Sequence, residues 1–349
     1  MKIDPLKQIG EISPEWISAA LGGEHAVREL EYSPVGTGQM ADSFRVLLTG
    51  EEGVPASIII KMHAQDELAR EAGAGSAYRS EVGFYAELAD TVSIRTPRCY
   101  GVIGPDEHAR FALLLEDMAP AEQGDQLIGC TIDQARDAVV NLAGLHGPRW
   151  CDPTLLEVPW LRRVSAAEAE FFRTTLMQRT EIFVDHFRGR ITAEDIDVLL
   201  EFAPKSGAWL LARGERFSLV HGDYRLDNLL FGTEVRIAAV DWQTLEVGNP
   251  GRDLAYFLGN SLVPNDRRQH ERALIREYHI ALSSYGVNDY SLEACFDDYR
   301  FGQFQGPLIT VLAAASLTHT ERGDEMFVAM CTRACQAIRD LDSFAVFAA

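Results

Sequence analysis

No cysteine pair stands at C-x-x-C spacing. The six cysteines (Cys99, Cys130, Cys151, Cys295, Cys331 and Cys335) are scattered, which excludes thioredoxin-like chemistry and the usual zinc-binding spacings. Cys331 and Cys335, one helical turn apart, read as small core or surface residues. No apolar run reaches about 18 residues, so a transmembrane helix is not expected; the longest apolar stretch, 307–317, suits a buried helix. Positive charge is scarce too: 32 Lys+Arg stand against 52 Asp+Glu, a formal charge of −20. Such a surface is unsuited to a phosphate backbone or an anionic membrane. It serves solubility and would also suit a cationic substrate. Internal repeats and low-complexity segments are absent. The opening Met1-Lys2-Ile3-Asp4-Pro5 puts charges where a signal peptide needs an apolar core, so a reducing, cytoplasmic setting is expected.

What is present reads as an α+β protein in two parts. A chain of 349 residues suffices for two packed units at roughly 100–200 residues per domain. Ser13-Pro14-Glu15-Trp16 marks a helix start, with Ser13 as cap and Pro14 in the first turn. Residues 44–48 and 57–61 are β-rich runs parted by Gly50-Glu51-Glu52-Gly53, a hairpin. A helix around 78–89 follows, then strands at 99–103 and 111–116. Beyond Met118 the composition turns helical. Thr131-Ile132-Asp133-Gln134 and Ser165-Ala166-Ala167-Glu168 are capping boxes. The first opens a helix through Leu142, Leu145 and His146, the second a long helix towards Phe187. A short β segment, 218–242, interrupts the helices. The expectation is a small β-rich N-lobe over 1–117 and a larger helical C-lobe over 118–349, joined near Glu116-Asp117-Met118.

The densest chemistry lies in His221-Gly222-Asp223-Tyr224-Arg225-Leu226-Asp227-Asn228. Apolar runs on either side of Gly232-Thr233-Glu234 form a hairpin. Asp223 and Asn228 precede its first strand and Asp241 follows its second, so three oxygen-bearing side chains are expected at the open end. Singly, Asp223 and Asn228 read as turn caps; the trio reads as a site. Mg2+ takes one or two carboxylates with phosphate oxygens and water, which Asn228 and Asp241 suit. Asp223 is then left to accept a proton from an attacking hydroxyl. Upstream, Gly36-Thr37-Gly38 lies between β-type runs, where glycine backbone can approach phosphates; alone it is an ordinary turn. It gains from Lys61, which ends the next run on the face of Ile59. Glu81 shares a helical face with Tyr85 and Leu88, and a carboxylate beside an apolar stripe needs a partner. Lys61 is the expected one, and the pair would hold the lysine against a nucleotide's phosphates. His146 and Trp150 read as packing at a lobe junction, His221 as a loop support, and Asp253 as a helix N-cap.

Taken in order, the Gly36-Thr37-Gly38 loop, Lys61, Glu81, Leu113-Leu114-Leu115-Glu116-Asp117-Met118, His221-Gly222-Asp223 with Asn228, and Asp241 resemble the aminoglycoside phosphotransferase and choline kinase superfamily. That superfamily has the bilobal protein-kinase-like fold, and the resemblance runs from about Pro34 to Phe257. Asp241-Trp242-Gln243, Pro250 and Asp253-Leu254-Ala255-Tyr256-Phe257-Leu258 are similar to its ecdysteroid-kinase-like branch. So are Leu115-Glu116-Asp117-Met118 and Gly124-Asp125-Gln126. The resemblance implies ATP and Mg2+ as cofactors, Asp223 as catalytic base, and Asn228 and Asp241 as metal ligands. It implies Lys61 on the α- and β-phosphates with Glu81 as anchor, and the backbone of Glu116 and Met118 on adenine. Asp253 would brace the catalytic loop. There are departures from the pattern. Gly222 stands where protein kinases have Arg, Trp242-Gln243 where they have Phe-Gly, and Gln39-Met40-Ala41 where a third glycine would fall.

Only eleven residues separate Asp241 from Asp253, too few for an activation segment that docks a peptide. The expected acceptor is therefore a hydroxyl of a small organic molecule, with helical stretches at about 151–205 and 265–345 to build its pocket. Family analogy leans towards a hydrophobic alcohol such as a steroid or terpenoid. Trp160, Phe171, Phe172, Tyr299, Phe301 and Phe304 read as core or pocket lining. Two other readings use the same residues: a non-catalytic nucleotide-binding module and a metal-dependent hydrolase. Neither nucleic acid nor membrane is an expected partner. The acceptor, ATP against GTP, and monomer against homodimer are left open by the residues.

Overall fold

The computed structural model describes residues 3–36, 40–233, 236–315 and 319–348. The chain divides into two compact units: Met1–Thr91 with Thr96–Pro120 and Val240–Leu245, and Val92–Arg95 with Ala121–Ala239 and Glu246–Ala349. The sequence reading assigns 240–245 to the helical part. Here that segment belongs to the first unit. Trp242 stacks on Phe84 with ring centroids 3.7 Å apart, and Asp241 pairs with Lys61.

The first unit opens with α1 (Pro14–Ala20), where the Ser13 hydroxyl accepts the Trp16 N–H and Pro14 holds the first position. Strands β1 (Val27–Pro34), β2 (Ala41–Gly50), β3 (Ser57–His63), β4 (Cys99–Ile103) and β5 (Ala112–Glu116) form an antiparallel sheet in the order β1-β2-β3-β5-β4. In β3, Ile58, Ile60 and Met62 are buried, and the first two join Ile17, Val46 and Leu114 in the core. Lys61 falls on the opposite face by alternation. Between β3 and β4 the chain forms α2 (Glu67–Ala74) and α3 (Ala77–Gly83). The single helix predicted over 78–89 instead leaves α-geometry after Gly83, passing through a wide π-turn, Phe84–Leu88, and a 3-10 turn, Ala89–Thr91. The wider turn buries Phe84, Tyr85 and Leu88 together. Helix α2 (Glu67–Ala74) is an element the sequence reading does not contain.

In the second unit, β9 (Leu229–Phe231) and β10 (Ile237–Ala239) make the hairpin, with Leu229 opposite Ala239, and β6 (Glu122–Gln123) pairs with β9. Strand β11 (Glu246–Gly248) runs antiparallel to β8 (Ser218–Val220) and parallel to β7 (Arg162–Arg163). Helices α4 (Ile132–His146), α5 (Ala166–His186), α6 (Ala193–Phe202), α7 (Ser206–Leu211) and α8 (Gly251–Ser261) are followed by α9 (Pro264–Ser284), α10 (Leu292–Gly302), α11 (Gln305–Ala314), α12 (Glu321–Asp340) and α13 (Ser343–Ala348). The capping boxes at Thr131 and Ser165 are both closed, side chain to N3 backbone and back. Phe187, Trp209, Phe301, Phe304, Cys331 and Cys335 sit in one core, so the two phenylalanines of α10–α11 are core residues, whereas Phe171 is exposed. Among the described residues no helix is long and apolar enough to cross a membrane.

Candidate active site

In the first unit the chemistry gathers on Lys61. Its Nζ donates to Glu81 Oε1 at 2.7 Å and to Asp241 Oδ1 at 3.0 Å. The sequence predicted the first contact but not the second, which spans 180 residues. Burial opposes the lysine's charge, yet Asp241 and then Glu81 outweigh it and raise its pKa. Glu81 is buried, and burial pushes its carboxyl up against the pull of Lys61. Beside the lysine, two further groups serve it: Gln243 Nε2 at 3.3 Å and the Trp242 N–H at 3.4 Å. Trp242-Gln243, a departure from the protein-kinase pattern, thus forms part of the carboxylate's support. Asp241 has φ of 69°, left-handed for a non-glycine residue, a conformation that costs energy and tends to be kept at functional sites.

Around the predicted nucleotide residues, Gly36 is also left-handed, with φ of 80°; Thr37 and Gly38 lie outside the described residues. Where the chain resumes, Met40 O accepts the Tyr78 hydroxyl. At the end of β5 the Glu116 N–H donates to Arg98 O at 2.7 Å. Asp117 takes Arg45 Nε at 2.8 Å and the Ala119 N–H at 3.1 Å, framing the buried Met118.

In the second unit the loop between β8 and β9 presents Asp223. Tyr256 donates its hydroxyl to Oδ1 at 2.9 Å, Asn228 Nδ2 donates to Oδ2 at 2.8 Å, and Arg225 Nε approaches at 3.2 Å. Burial, and next the Asp223 charge, hold the Tyr256 phenol far above its ordinary pKa, so it stays a donor. Although burial opposes the charge on Arg225, Asp223 and Asp227 keep it positive. The Asn228 amide nitrogen also reaches Asp223 O at 2.9 Å. With two acceptors on that nitrogen, the amide orientation is set and the side-chain oxygen points elsewhere.

The loop itself rests on Asp253. This residue is third in α8 rather than its N-cap, which is Pro250. Its Oδ2 accepts the His221 N–H at 2.6 Å and its Oδ1 the Gly222 N–H at 2.9 Å. Gly222 has φ of 81°, which an arginine would adopt only with strain. His221, fully buried, turns its Nδ1 to the Asp223 N–H at 3.3 Å. His146 does more than pack. Its ring joins Tyr278 Oη at 2.7 Å to Asp253 Oδ2 at 3.3 Å. Burial keeps that phenol neutral, so hydroxyl-to-Nδ1 and Nε2–H-to-carboxylate is the consistent assignment. Burial would raise the Asp253 carboxyl, but the His146 hydrogen bond and neighbouring charges hold it below its ordinary value.

Sequence reasoning missed Tyr256, Arg225 and the supporting role of His146. Two signals were available. Tyr256 lies three residues after Asp253 on one helix, hence on one face, and His146 is a polar residue on the apolar stripe of Leu142 and Leu145, where it needs a partner.

The fold is kinase-like, as in a choline kinase from Cryptosporidium parvum Iowa II. That structure aligns at TM-score 0.59 and 13% identity over 97% of this chain and 93% of its own. A spectinomycin phosphotransferase solved with ADP and spectinomycin aligns at 0.50 and 15% over 95% and 99%. Residues 32–288 match the model of the phosphotransferase enzyme family (APH), and the chain belongs to that family. A mouse protein, acyl-CoA dehydrogenase family member 10, is 47% identical over 53 residues, 14% of this chain and 5% of that protein. The chain thus matches about a twentieth of that relative's length.

Proposed function

We propose that this phosphotransferase moves the γ-phosphate of ATP to a hydroxyl group of a small organic molecule, with Asp223 as the group that meets the acceptor. The observation that carries the proposal is the Asp223 carboxylate, fixed by Tyr256, Asn228 and Arg225 on a loop whose backbone is tied to a buried aspartate. A carboxylate so held can take up the hydroxyl proton as the oxygen–phosphorus bond forms and the bond to ADP breaks. Lys61, anchored by Glu81, would bind phosphate oxygens. The carbonyl of Glu116 and the N–H of Met118 would bind adenine, and the loop at Gly36, Thr37 and Gly38 would cover the phosphates.

The donor set suits Mg2+. Asn228 offers a side-chain oxygen, its nitrogen being committed to Asp223, and Asp241 offers a carboxylate, an all-oxygen pair of the kind this ion prefers. Bound there, Mg2+ would neutralise phosphate charge. Between Asp241 and Asp253 the chain spends its length on a 3-10 turn, β11 and the start of α8, leaving no segment to dock a peptide. A small acceptor follows.

The test is product mass after incubation with Mg·ATP and a panel of choline, ethanolamine, spectinomycin, sugars, macrolides and sterols. At least one phosphorylated alcohol should form, and Asp223→Asn should keep nucleotide binding while losing about 10²–10⁴-fold in turnover. ATP binding without transfer to any alcohol would favour a regulatory module, and phosphate release without an acceptor a hydrolase. Normal turnover by Asp223→Asn would overturn the role given to that residue.

A further inference from the structure

Away from Asp223, the end of α5 and the start of α12 bring together three groups that the phosphoryl-transfer site does not use. His186 is the last residue of α5, His319 lies two residues before α12, and Asp324 is in the first turn of α12. His186 Nε2 is 3.1 Å from Asp324 Oδ2, and His319 Nδ1 is 2.7 Å from Asp324 Oδ1. The two imidazoles stack, with centroids 4.1 Å apart and 29° between planes. Phe187, buried in the core, walls both rings, its centroid 4.6 Å from that of His186 and 6.4 Å from that of His319. One ligand atom from each residue lies within 4.8 Å of the other two.

We propose that His186, His319 and Asp324 form a site for one divalent transition-metal ion of the zinc class, which staples the end of α5 to the start of α12. Two imidazole nitrogens and a carboxylate oxygen are the ligand types that zinc, cobalt and nickel favour, whereas Mg2+ and Ca2+ prefer oxygen alone. A tetrahedral ion with ligands at about 2.0–2.2 Å separates them by roughly 3.3–3.6 Å. The three candidate ligand atoms already lie within 4.8 Å of one another, and the half-exposed imidazoles, 40% and 43% accessible, can rotate to bring them to that spacing. A fourth position stays open to water. One nearby group opposes a cation. Arg190 Nη1 stands 3.9 Å from Asp324 Oδ2, but its guanidinium also lies over the Phe187 ring at 5.7 Å, so it can yield the carboxylate without losing every contact. The bridge is long in sequence, 138 residues from His186 to Asp324. An ion there would hold the helical region together independently of nucleotide.

The experiment titrates chelator-stripped full-length protein with cobalt(II) followed by its absorption spectrum, then with zinc(II) by calorimetry and thermal melting. One equivalent of cobalt should bind, giving d–d bands without the thiolate-to-cobalt charge transfer that the cysteines would produce. Zinc should raise Tm in wild type. His186→Gln and His319→Gln, exposed positions whose replacements keep a donor for Asp324, should weaken binding by about 10–100-fold or more and lose the Tm gain. Three results would overturn the site: no saturable binding, binding unchanged in both variants, or a thiolate band. The first would leave His186, Asp324 and His319 as a hydrogen-bonded bridge only.

Discussion

Asp223 receives donors on both oxygens, and they differ in kind. Asn228 and Arg225 come from its own loop, while Tyr256 comes from α8. A phenol that burial and the aspartate's charge keep protonated can only give its hydrogen to that carboxylate. In the proposed reaction it would therefore set the direction from which Asp223 accepts a proton. Tyr256→Phe removes one hydrogen bond to a charged group, worth about 1.5–3 kcal/mol. Felt wholly in the transition state, this corresponds to about 10- to 100-fold in kcat. The KM for ATP should not move, since Tyr256 serves Asp223 and not the lysine in the first unit. The same substitution in an Asp223→Asn background should cost little more, because the group it positions is gone. A full additional loss in the double variant would mean that Tyr256 acts through stability alone, which a parallel melt would reveal.

At the scale of elements, α8 is the template for the loop that carries Asp223. Asp253 and Tyr256, three residues apart, lie on one helical face, the first tying the loop's backbone and the second its side chain. Helix α4 supplies His146 behind them, itself backed by Tyr278 from α9. Asp253→Asn should destabilise by about 1–3 kcal/mol through a buried N–H left unpaired. The pH dependence has a definite sign. The Asp253 carboxyl is held below its ordinary value, so its contribution is complete above the unfolded value of about 3.9 and is lost as pH falls through the lower folded value. Urea midpoints across that acid window should fall less steeply for Asp253→Asn than for wild type. Parallel slopes would show that this carboxylate carries none of the acid sensitivity.

For the whole molecule, the charge of −20 sets the terms on which an anionic nucleotide arrives. Screening lengths shrink from about 30 Å at 0.01 M salt to about 8 Å at 0.15 M. The chain's overall repulsion fades over that range, while the proposed short-range contact of the phosphates with Lys61 would persist. The apparent second-order rate constant, kcat/KM for Mg·ATP, should therefore rise with salt between those limits; a fall would mean that local positive charge dominates the approach. Much of the architecture was readable because its causes are local. Hairpins, capping boxes and the Ser13-Pro14 start depend on residues a few positions apart, and the alternation in β3 already placed Lys61 opposite Ile58 and Ile60. His221-Gly222-Asp223 with Asn228 was likewise visible as a dense polar stretch before a strand. The sequence by itself thus determined the succession of a β-rich and a helical region, the loop that presents Asp223 and the pairing expected of Lys61 with Glu81. Only the tertiary structure decided that Lys61 also holds Asp241, that Tyr256 aims Asp223, that His146 backs Asp253 under the loop, and that His186 meets Asp324. These contacts join residues tens to more than a hundred positions apart, and they exist because burying apolar faces brings otherwise unrelated polar groups to places where each needs a partner.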